Sequence, residues 1–146
     1  MKTLKLLSFL FLSLALFSCK SDYGKIIKAK RQFLNAGVEN APNHLKYTVE
    51  FEILKPVVIE QIKIRNKKQE KIISHYIIKD LKTSQMATNL KNLSKGHYIL
   101  TASLPLKQSE KIAKKEILDI KIKLPHKSKK YHLKYKIKTF QTVFMR

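Results

Sequence analysis

Two glutamates on one predicted strand have a spacing that could support acid–base chemistry. Glu50 and Glu52 are two positions apart, and the rise of a β-strand places them about 7 Å from each other on the same face. Carboxylates paired at such a distance can hydrolyse glycosidic bonds. If this strand pairs with residues 57–65, however, Lys63 comes close enough for cross-strand ion pairs. We therefore interpret both glutamates as structural and keep a glycan hydrolase as the less favoured alternative.

The other residues that could do chemistry do not form a catalytic or metal-binding motif in the sequence. No two histidines have the spacing of three to five residues that metal sites within one element use, and none begins an HExxH run. The chain has three glycines, and neither a nucleotide-binding loop nor a nucleophile elbow is present. The sequence therefore predicts a protein that is not an enzyme and that needs no metal and no cofactor. The histidines concerned are His44, His75, His97, His126 and His132.

Lysines dominate the last predicted hairpin and point to an anion-binding surface. If Leu124 faces Tyr131 across the loop 125–130, then Lys121 faces Lys134. Like charges directly opposite each other destabilise a sheet, so a surface that keeps them could be arranged to receive phosphate, sulfate or carboxylate groups. The candidate contact residues on this face and loop are Lys121, Lys123, Lys127, Lys129, Lys130, Lys134 and Lys136.

The positive charge of the chain also has a purely compositional explanation. The formal net charge is +21, from 31 basic and 10 acidic residues, but only three of the basic residues are arginine. Recognition of phosphate or carboxylate favours the bidentate arginine fork, whereas exposed lysine also protects sheet edges from aggregation. Solvated faces and a functional anion surface therefore both remain open. No nucleic-acid-binding motif accompanies the charge, so we expect no nucleic-acid partner.

The elements that must position these residues are strands, because apolar residues alternate with polar ones from Leu45 onward. In the second strand, from Val57 to Arg65, the alternation changes phase, which predicts a β-bulge near residues 60–61. Lys71 to Ile78 is predicted as one strand buried on both faces. Further strands are predicted at 98–104, 118–124 and 131–137.

Two segments do not follow this alternation. Met86, Leu90 and Leu93 are spaced four and three residues apart, which predicts one or two helical turns between Thr83 and Gly96. From Lys20 to Asn43 the pattern is mixed and leaves a short helix and an edge strand as alternatives.

Six strands in about 100 residues, with turn signals about every dozen residues, have the size and rhythm of an immunoglobulin-like sandwich. The segment Leu93-Ser94-Lys95-Gly96-His97-Tyr98 resembles the corner-to-strand segment of bacterial immunoglobulin-like and fibronectin-like sandwiches. One cysteine and no tryptophan exclude the disulfide-and-tryptophan core of antibody domains. We predict an all-β fold, an immunoglobulin-like antiparallel β-sandwich of about seven strands over residues 44–146, with the seventh strand from residues 22–40 or 80–90.

The first nineteen residues have the pattern of an export signal. Lys2 and Lys5 precede an apolar stretch from Leu6 to Phe17, which is too short to span a bilayer. The run Leu16-Phe17-Ser18-Cys19 resembles the signal of bacterial lipoproteins, with leucine three residues before the cysteine and a small residue directly before it. This resemblance implies removal of residues 1–18 and acylation of Cys19. An ordinary secretory signal and an anchored single helix are the alternatives.

If the resemblance holds, residues 19–43 form a lipid-anchored tether and the mature chain has 29 basic and 10 acidic residues, a net charge of +19. The inner-membrane retention signal of lipoproteins has Asp after the cysteine, so Lys20 favours the outer membrane and leaves the leaflet open. We therefore predict a lipid-anchored cell-envelope β-sandwich that acts as a non-enzymatic binding or structural module. Its expected partners are the membrane, through the acyl chains, and an anionic envelope polymer or another envelope protein. The alternative is a binder of anionic glycan or lipid through the lysine-rich sheet face.

Overall fold

The computed structural model describes residues 21–37, 41–87, 91–107, 110–138 and 140–144. These residues form an all-β fold of ten strands. No helix that could cross a membrane occurs in the part of the chain that the structure describes. The predicted signal peptide and Cys19 lie outside the described residues.

The ten strands form two sheets that pack face to face. Sheet 1 has the order β10-β1-β2-β7-β5, and sheet 2 has the order β4-β3-β8-β9, with β6 also paired to β3. The strands β1, β2, β7 and β5 correspond to strands A, B, E and D of an immunoglobulin domain, and β3, β8 and β9 correspond to C, F and G. This arrangement confirms the predicted fold class. The strand bounds are β1 Gly24–Asn35, β2 His44–Ile53, β3 Val57–Arg65, β4 Glu70–Ile72, β5 Tyr76–Asp80, β6 Asn92–Leu93, β7 Gly96–Pro105, β8 Glu116–Lys123, β9 Lys130–Ile137 and β10 Phe140–Phe144.

The core lies between the two sheets and is built from alternate residues of each long strand. In β2 the inward side chains Tyr47, Val49 and Phe51 are at most 1% exposed, while Thr48 and Glu50, which alternate with them, face outward. In β8 the inward side chains Leu118, Ile120 and Ile122 are fully buried. Burying one such side chain stabilises the fold by about 1.5–3 kcal/mol. The alternation predicted from the sequence is therefore confirmed in these strands.

The predicted bulge in β3 is also confirmed. The register between β3 and β8 shifts between Ile59 and Gln61, so the extra residue at this point is Glu60. Both Ile59 and Ile62 consequently face the core, at 2% and 1% exposure. A bulge re-aims the side chain of the inserted residue, and this places Glu60 among the lysines described below.

The prediction of one strand from Lys71 to Ile78 is wrong. The chain crosses here from sheet 2 to sheet 1, so β4 and β5 belong to different sheets. Each pair of isoleucines consequently has one buried and one exposed member. Ile73 and Ile78 are buried, whereas Ile72 is 56% and Ile77 is 45% exposed.

The helical turns predicted between Thr83 and Gly96 are not found in the described residues of this segment. Met86 forms an isolated bridge with Lys79, and Leu93 belongs to β6, which pairs with β3; Leu90 lies outside the described residues. The apparent helical spacing therefore joins residues of separate extended segments. Met86 is 56% exposed while Leu93 is buried, so the two do not share one apolar face.

For residues 20–43 the sequence left a short helix and an edge strand as alternatives. The described residues of this segment form a strand, β1. The twelve-residue strand β1 pairs with β2 on one side and with β10 on the other, so it is not an edge strand. The sandwich therefore includes residues from Gly24 onward that the sequence pattern assigned to the tether, and it has more than the seven strands predicted. An added Cβ at Gly24 would lie 2.6 Å from the backbone oxygen of Glu52, so this close approach of β1 to β2 requires glycine.

Candidate functional site

The register of the last hairpin differs by two residues from the predicted one. Lys121 faces His132 and Asp119 faces Lys134, so the predicted opposition of Lys121 and Lys134 is wrong. An even shift keeps every side chain on its predicted face. The hairpin closes one residue earlier on each strand than predicted, because the turn forms at Leu124, whose carbonyl oxygen accepts from the Lys127 N–H at 3.2 Å.

A carboxylate that the sequence did not identify gathers three of the candidate lysines. Glu60 lies 3.8 Å from the Lys121 ammonium, 3.5 Å from Lys123 and 3.4 Å from Lys130. We call these four residues the Glu60 cluster. Partial desolvation is the strongest single influence on Glu60 and raises its pKa, but the nearby Lys130 and Lys123 together outweigh it and hold the pKa below its ordinary value. The like charges of Lys123 and Lys130, which face each other directly, are thus partly neutralised.

The outward-facing side chains of sheet 2 form a surface that we call the basic face. Along β9 the outward positions hold Lys130, His132, Lys134 and Lys136, and the neighbouring strands β8 and β3 add further cations. Strand spacing and rise place neighbouring cations about 5–7 Å apart. The cationic members are Lys63, Arg65, Lys121, Lys123, Lys130, Lys134 and Lys136, and the acidic members are Glu60, Glu70 and Asp119.

The charges of the basic face are unevenly compensated. Lys63 pairs with Glu70 at 2.8 Å, and Asp119 lies 2.8 Å from the Nδ1 atom of His132. Lys134 and Lys136 are exposed and form no ion pair with any residue that the structure describes. Lys134 and Lys136 of β9 therefore offer free ammonium groups, whereas Lys121, Lys123 and Lys130 are bridged by Glu60.

The remaining two candidate lysines lie elsewhere. Lys127 and Lys129 are exposed in the loop between β8 and β9, at one end of the sandwich. The Lys129 ammonium lies 5.6 Å from the ring centroid of Tyr131. The structure therefore divides the seven candidate lysines between the basic face and one end of the domain.

The two glutamates that could support hydrolysis lie on the outer face of sheet 1, both on β2. Their common face is as predicted, but the expected pairing with Lys63 is wrong, because β2 pairs with β1 and β7 and not with β3. Glu52 lies 3.0 Å from both Lys25 and His97. Contacts with Lys25 first, and then with His97, lower the pKa of Glu52. A general acid needs a raised pKa, so this geometry does not favour glycoside hydrolysis.

The histidines are dispersed over the described residues. His97 contacts Glu52, His132 contacts Asp119, and the Nδ1 atom of His44 lies 3.4 Å from the Ser103 hydroxyl. Within the described ranges no three His, Cys, Asp or Glu side chains are close enough to hold a metal ion.

Sequence analysis missed a buried polar cluster that joins the two sheets. Arg31 and Tyr47 come from sheet 1 and Glu116 from sheet 2, and all three are at most 5% exposed. Glu116 Oε2 lies 2.9 Å from Arg31 Nη1 and accepts the Tyr47 hydroxyl hydrogen bond at 2.9 Å. Burial, followed by the charge of Glu116, raises the pKa of Tyr47 far above its ordinary value. We call these residues the buried cluster. The signal that could have found it is Arg31 itself, one of only three arginines in a chain with 31 basic residues.

Comparison with known proteins adds no family to this geometry. No protein-family model matches the chain, and a search of curated proteins finds none with significant similarity to it.

Proposed function

We propose that this chain is a lipid-anchored, non-enzymatic binding module of the bacterial cell envelope. The N-terminal resemblance to lipoprotein signals supports the anchor at Cys19, and Lys20 supports the outer membrane. The sandwich begins at Gly24, five residues after Cys19. An acylated Cys19 would therefore hold the domain directly at a membrane surface, where several acyl chains give durable anchoring.

The single observation that carries the binding proposal is the basic face of sheet 2. Seven cations and three carboxylates share this face, and Lys134 and Lys136 have no carboxylate partner among the described residues. The ammonium groups lie in rows about 5–7 Å apart, so each can contact a successive anionic group of an extended polymer. A single small anion would contact only part of such a row. The ligand class that we propose is an acidic polymer of the envelope, a glycan bearing carboxylate, sulfate or phosphate groups.

Lysine rather than arginine defines the selectivity of such a face. The ammonium group is a compact point charge and does not impose the planar, bidentate geometry of a guanidinium. Binding would therefore depend on the density of negative charge more than on the identity of the anion. The Glu60 carboxylate would compete with the ligand for Lys121, Lys123 and Lys130, which keeps the affinity moderate and sensitive to salt.

The test of the anchor is the mass of the protein extracted in detergent. We expect a mature chain that begins at Cys19 and carries acyl groups, and we expect Cys19→Ala to abolish both the acylation and the membrane association. An unmodified Cys19 in membrane-extracted protein would contradict the proposal.

The test of the basic face is retention on immobilised polygalacturonate and dextran sulfate. We expect the variant with Lys123→Gln, Lys134→Gln and Lys136→Gln to elute at lower salt than the unchanged protein. The matched control removes the same number of positive charges from the outer face of sheet 1, with Lys28→Gln, Lys30→Gln and Lys46→Gln. Equal weakening in both variants would mean that net charge alone governs retention, and would exclude a defined face.

A further inference from the structure

The N-terminal residues of the described chain lie at the same end of the sandwich as several loops. Gly24 faces Ile53 in β2, and Ile53 in turn faces Gly96 in β7. The Leu54 N–H donates to the Tyr23 carbonyl oxygen at 2.9 Å. The chain before β1, the β2–β3 turn and the start of β7 therefore meet at one end, which we call the anchor end.

The loop between β8 and β9 belongs to this end as well. The Tyr131 hydroxyl donates to the Tyr23 hydroxyl at 3.1 Å, and the two ring centroids are 4.1 Å apart. The segment after β5 also lies here, because the Leu81 N–H donates to the His97 carbonyl oxygen at 2.9 Å. The anchor end thus combines residues 21–23, 54–56, 81–84, 94–95 and 124–129.

The length of chain between Cys19 and β1 limits how far this end can be from a lipid anchor. Five residues span at most about 18 Å when fully extended. The ten residues of β2, at about 3.3 Å per residue, place the opposite end of the sandwich about 30 Å further away. This step rests on the acylation of Cys19 proposed above. It keeps the anchor end within about 18 Å of the membrane, so the domain either stands on this end or lies on one side.

The chemistry of the anchor end fits a membrane surface. Two large apolar side chains are exposed on the loops of this end, Leu54 at 37% and Leu81 at 42%. Ile27 and Met86, at 39% and 56%, are exposed further along sheet 1, near the level of Glu50. Large apolar groups on loop tips, surrounded by lysines, are typical of contact with the boundary between headgroups and acyl chains. The surrounding exposed lysines are Lys55, Lys82, Lys95, Lys127 and Lys129.

Charge alone does not select this end, because the opposite end is also rich in lysine. Lys68, Lys114 and Lys138 are exposed there, near the pairs Arg65–Ile117 and Glu116–Ile137 that mark the opposite end of sheet 2. An exposed apolar side chain, Ile72 at 56%, also lies toward the opposite end. The position of the tether is therefore what distinguishes the anchor end.

We propose that the anchor end binds the anionic phospholipid headgroups of the membrane that holds Cys19, so that the domain stands on its end. In this orientation the basic face runs away from the membrane and stays accessible to a polymer. Lys127 and Lys129 then contact lipid and not the polymer, which divides the seven candidate lysines between two partners.

The experiment uses the chain from residue 20 onward, which lacks the acylated cysteine but keeps every described strand. Its co-sedimentation is measured with vesicles of phosphatidylcholine mixed with phosphatidylglycerol, and with vesicles of phosphatidylcholine alone. The anchor-end variant combines Lys82→Gln, Lys95→Gln and Lys127→Gln, which come from three different loops. The matched control combines Lys68→Gln, Lys114→Gln and Lys138→Gln at the opposite end, with the same change of charge.

We expect binding to the mixed vesicles, and a loss of roughly 100-fold in the partition constant for the anchor-end variant, because each lysine near an anionic surface contributes about fivefold. The control variant should lose less than about threefold, since its lysines lie several screening lengths from the surface. A further variant, Leu54→Ser with Leu81→Ser, should also weaken binding. Circular dichroism confirms that each variant is folded.

Three outcomes would overturn this inference. Equal losses in the anchor-end and control variants would show attraction by net charge only. A loss confined to the basic-face variant with Lys123→Gln, Lys134→Gln and Lys136→Gln would show a domain that lies flat. No binding to the mixed vesicles would exclude headgroup contact. None of these results bears on acylation of Cys19 or on retention by acidic polymers, so a failure here is distinguishable from a failure of the proposed function.

Discussion

Two carboxylates hold cations in this molecule in opposite surroundings. Glu116 contacts Arg31 and Tyr47 between the sheets, where it is 5% exposed. Glu60 contacts three lysines on the outer face of sheet 2, with its side chain 21% exposed. The buried carboxylate is held at 2.9 Å by two fixed partners, whereas the surface carboxylate shares three longer contacts of 3.4–3.8 Å.

The difference in surroundings assigns different roles to the two clusters. Removing one partner of a buried pair leaves a charge without water and without a counter-charge, which is strongly destabilising. Removing one partner of a surface group costs little, because water and other cations replace it. The buried cluster therefore fixes how the sheets pack, while the Glu60 cluster is a surface network that the proposed ligand would open at little cost.

The largest expected effect follows from Arg31→Met. The substitution leaves the Glu116 carboxylate buried without its cation, and we expect the free energy of unfolding to fall by about 3–5 kcal/mol in urea denaturation. Adding Glu116→Gln should recover part of this loss, because a neutral amide still accepts the Tyr47 hydrogen bond. A loss below about 1 kcal/mol for Arg31→Met would remove the contrast between the two clusters.

Tyr47→Phe should have the next largest effect. It removes a hydrogen bond to a buried carboxylate without changing the shape of the ring, and we expect a loss of about 2 kcal/mol in unfolding free energy. The control is Tyr98→Phe, which removes a neutral hydrogen bond from the Tyr98 hydroxyl to the Ser94 carbonyl oxygen at 3.0 Å, with an expected loss of about 1 kcal/mol. A larger loss for Tyr47→Phe than for Tyr98→Phe would show that the charge on Glu116 strengthens its hydrogen bond. A larger loss for Tyr98→Phe would contradict this.

Acid should weaken the ion pairs that Glu52 and Glu110 form with lysines. The pKa values of Glu52 and Glu110 are lowered from 4.5, chiefly by Lys25 and Lys71 respectively. A carboxyl with a lowered pKa in the folded state stabilises the fold above its unfolded pKa, and this contribution is lost as the pH falls through the folded value. We expect the midpoint temperature of thermal unfolding to stay constant as the pH is lowered to about 4.5, and to decrease at lower pH.

The control for this pH dependence is Glu110→Gln. The variant should start from a slightly lower midpoint and should lose less on acidification than the unchanged protein. A decrease that begins well above pH 4.5 would contradict the assignment to these carboxylates.

The smallest effect on stability is expected for Glu60→Gln. The midpoint of thermal unfolding should change by no more than about 3 °C, while retention on immobilised polygalacturonate should increase because Lys121, Lys123 and Lys130 lose their internal competitor. A large loss of stability, or weaker retention, would show that Glu60 is structural in the same sense as Glu116.

The strands and the core could be predicted from the sequence because they depend on local alternation. Tyr47 and Phe51 on β2, and Leu118 and Ile120 on β8, are buried where a period of two places them. The bulge at Glu60 was visible for the same reason, since an inserted residue reverses the phase of the apolar positions.

The register of the last hairpin and the path of the third predicted strand depend on non-local interactions. The contact between Asp119 and His132 joins residues on different strands and leaves no trace in the alternation. The crossing from sheet 2 to sheet 1 at residues 73–75 produces the same run of isoleucines as a strand buried on both faces. Neither the spacing of Ile72 and Ile73 nor that of Ile77 and Ile78 distinguishes these two cases.

The candidate site was predicted in part. The lysines of β8 and β9 lie on one outer face as expected, but Glu60 reaches them from β3, which the hairpin alone could not reveal. The buried cluster was missed because Glu116 precedes the alternating segment of β8 and Arg31 lies in the segment of mixed pattern. The pairing of these two residues depends on how the sheets face each other.

The position of β1 between β2 and β10 has a mechanical consequence. A lipid anchor at Cys19 would pull on the N-terminal end of β1, along the axis of the strand. Ten registered residue pairs join β1 to β2, and β10 supports β1 from the other side. Such a pull would load all of these hydrogen bonds together in shear instead of opening them one at a time, so a domain anchored in this way would resist unfolding under tension.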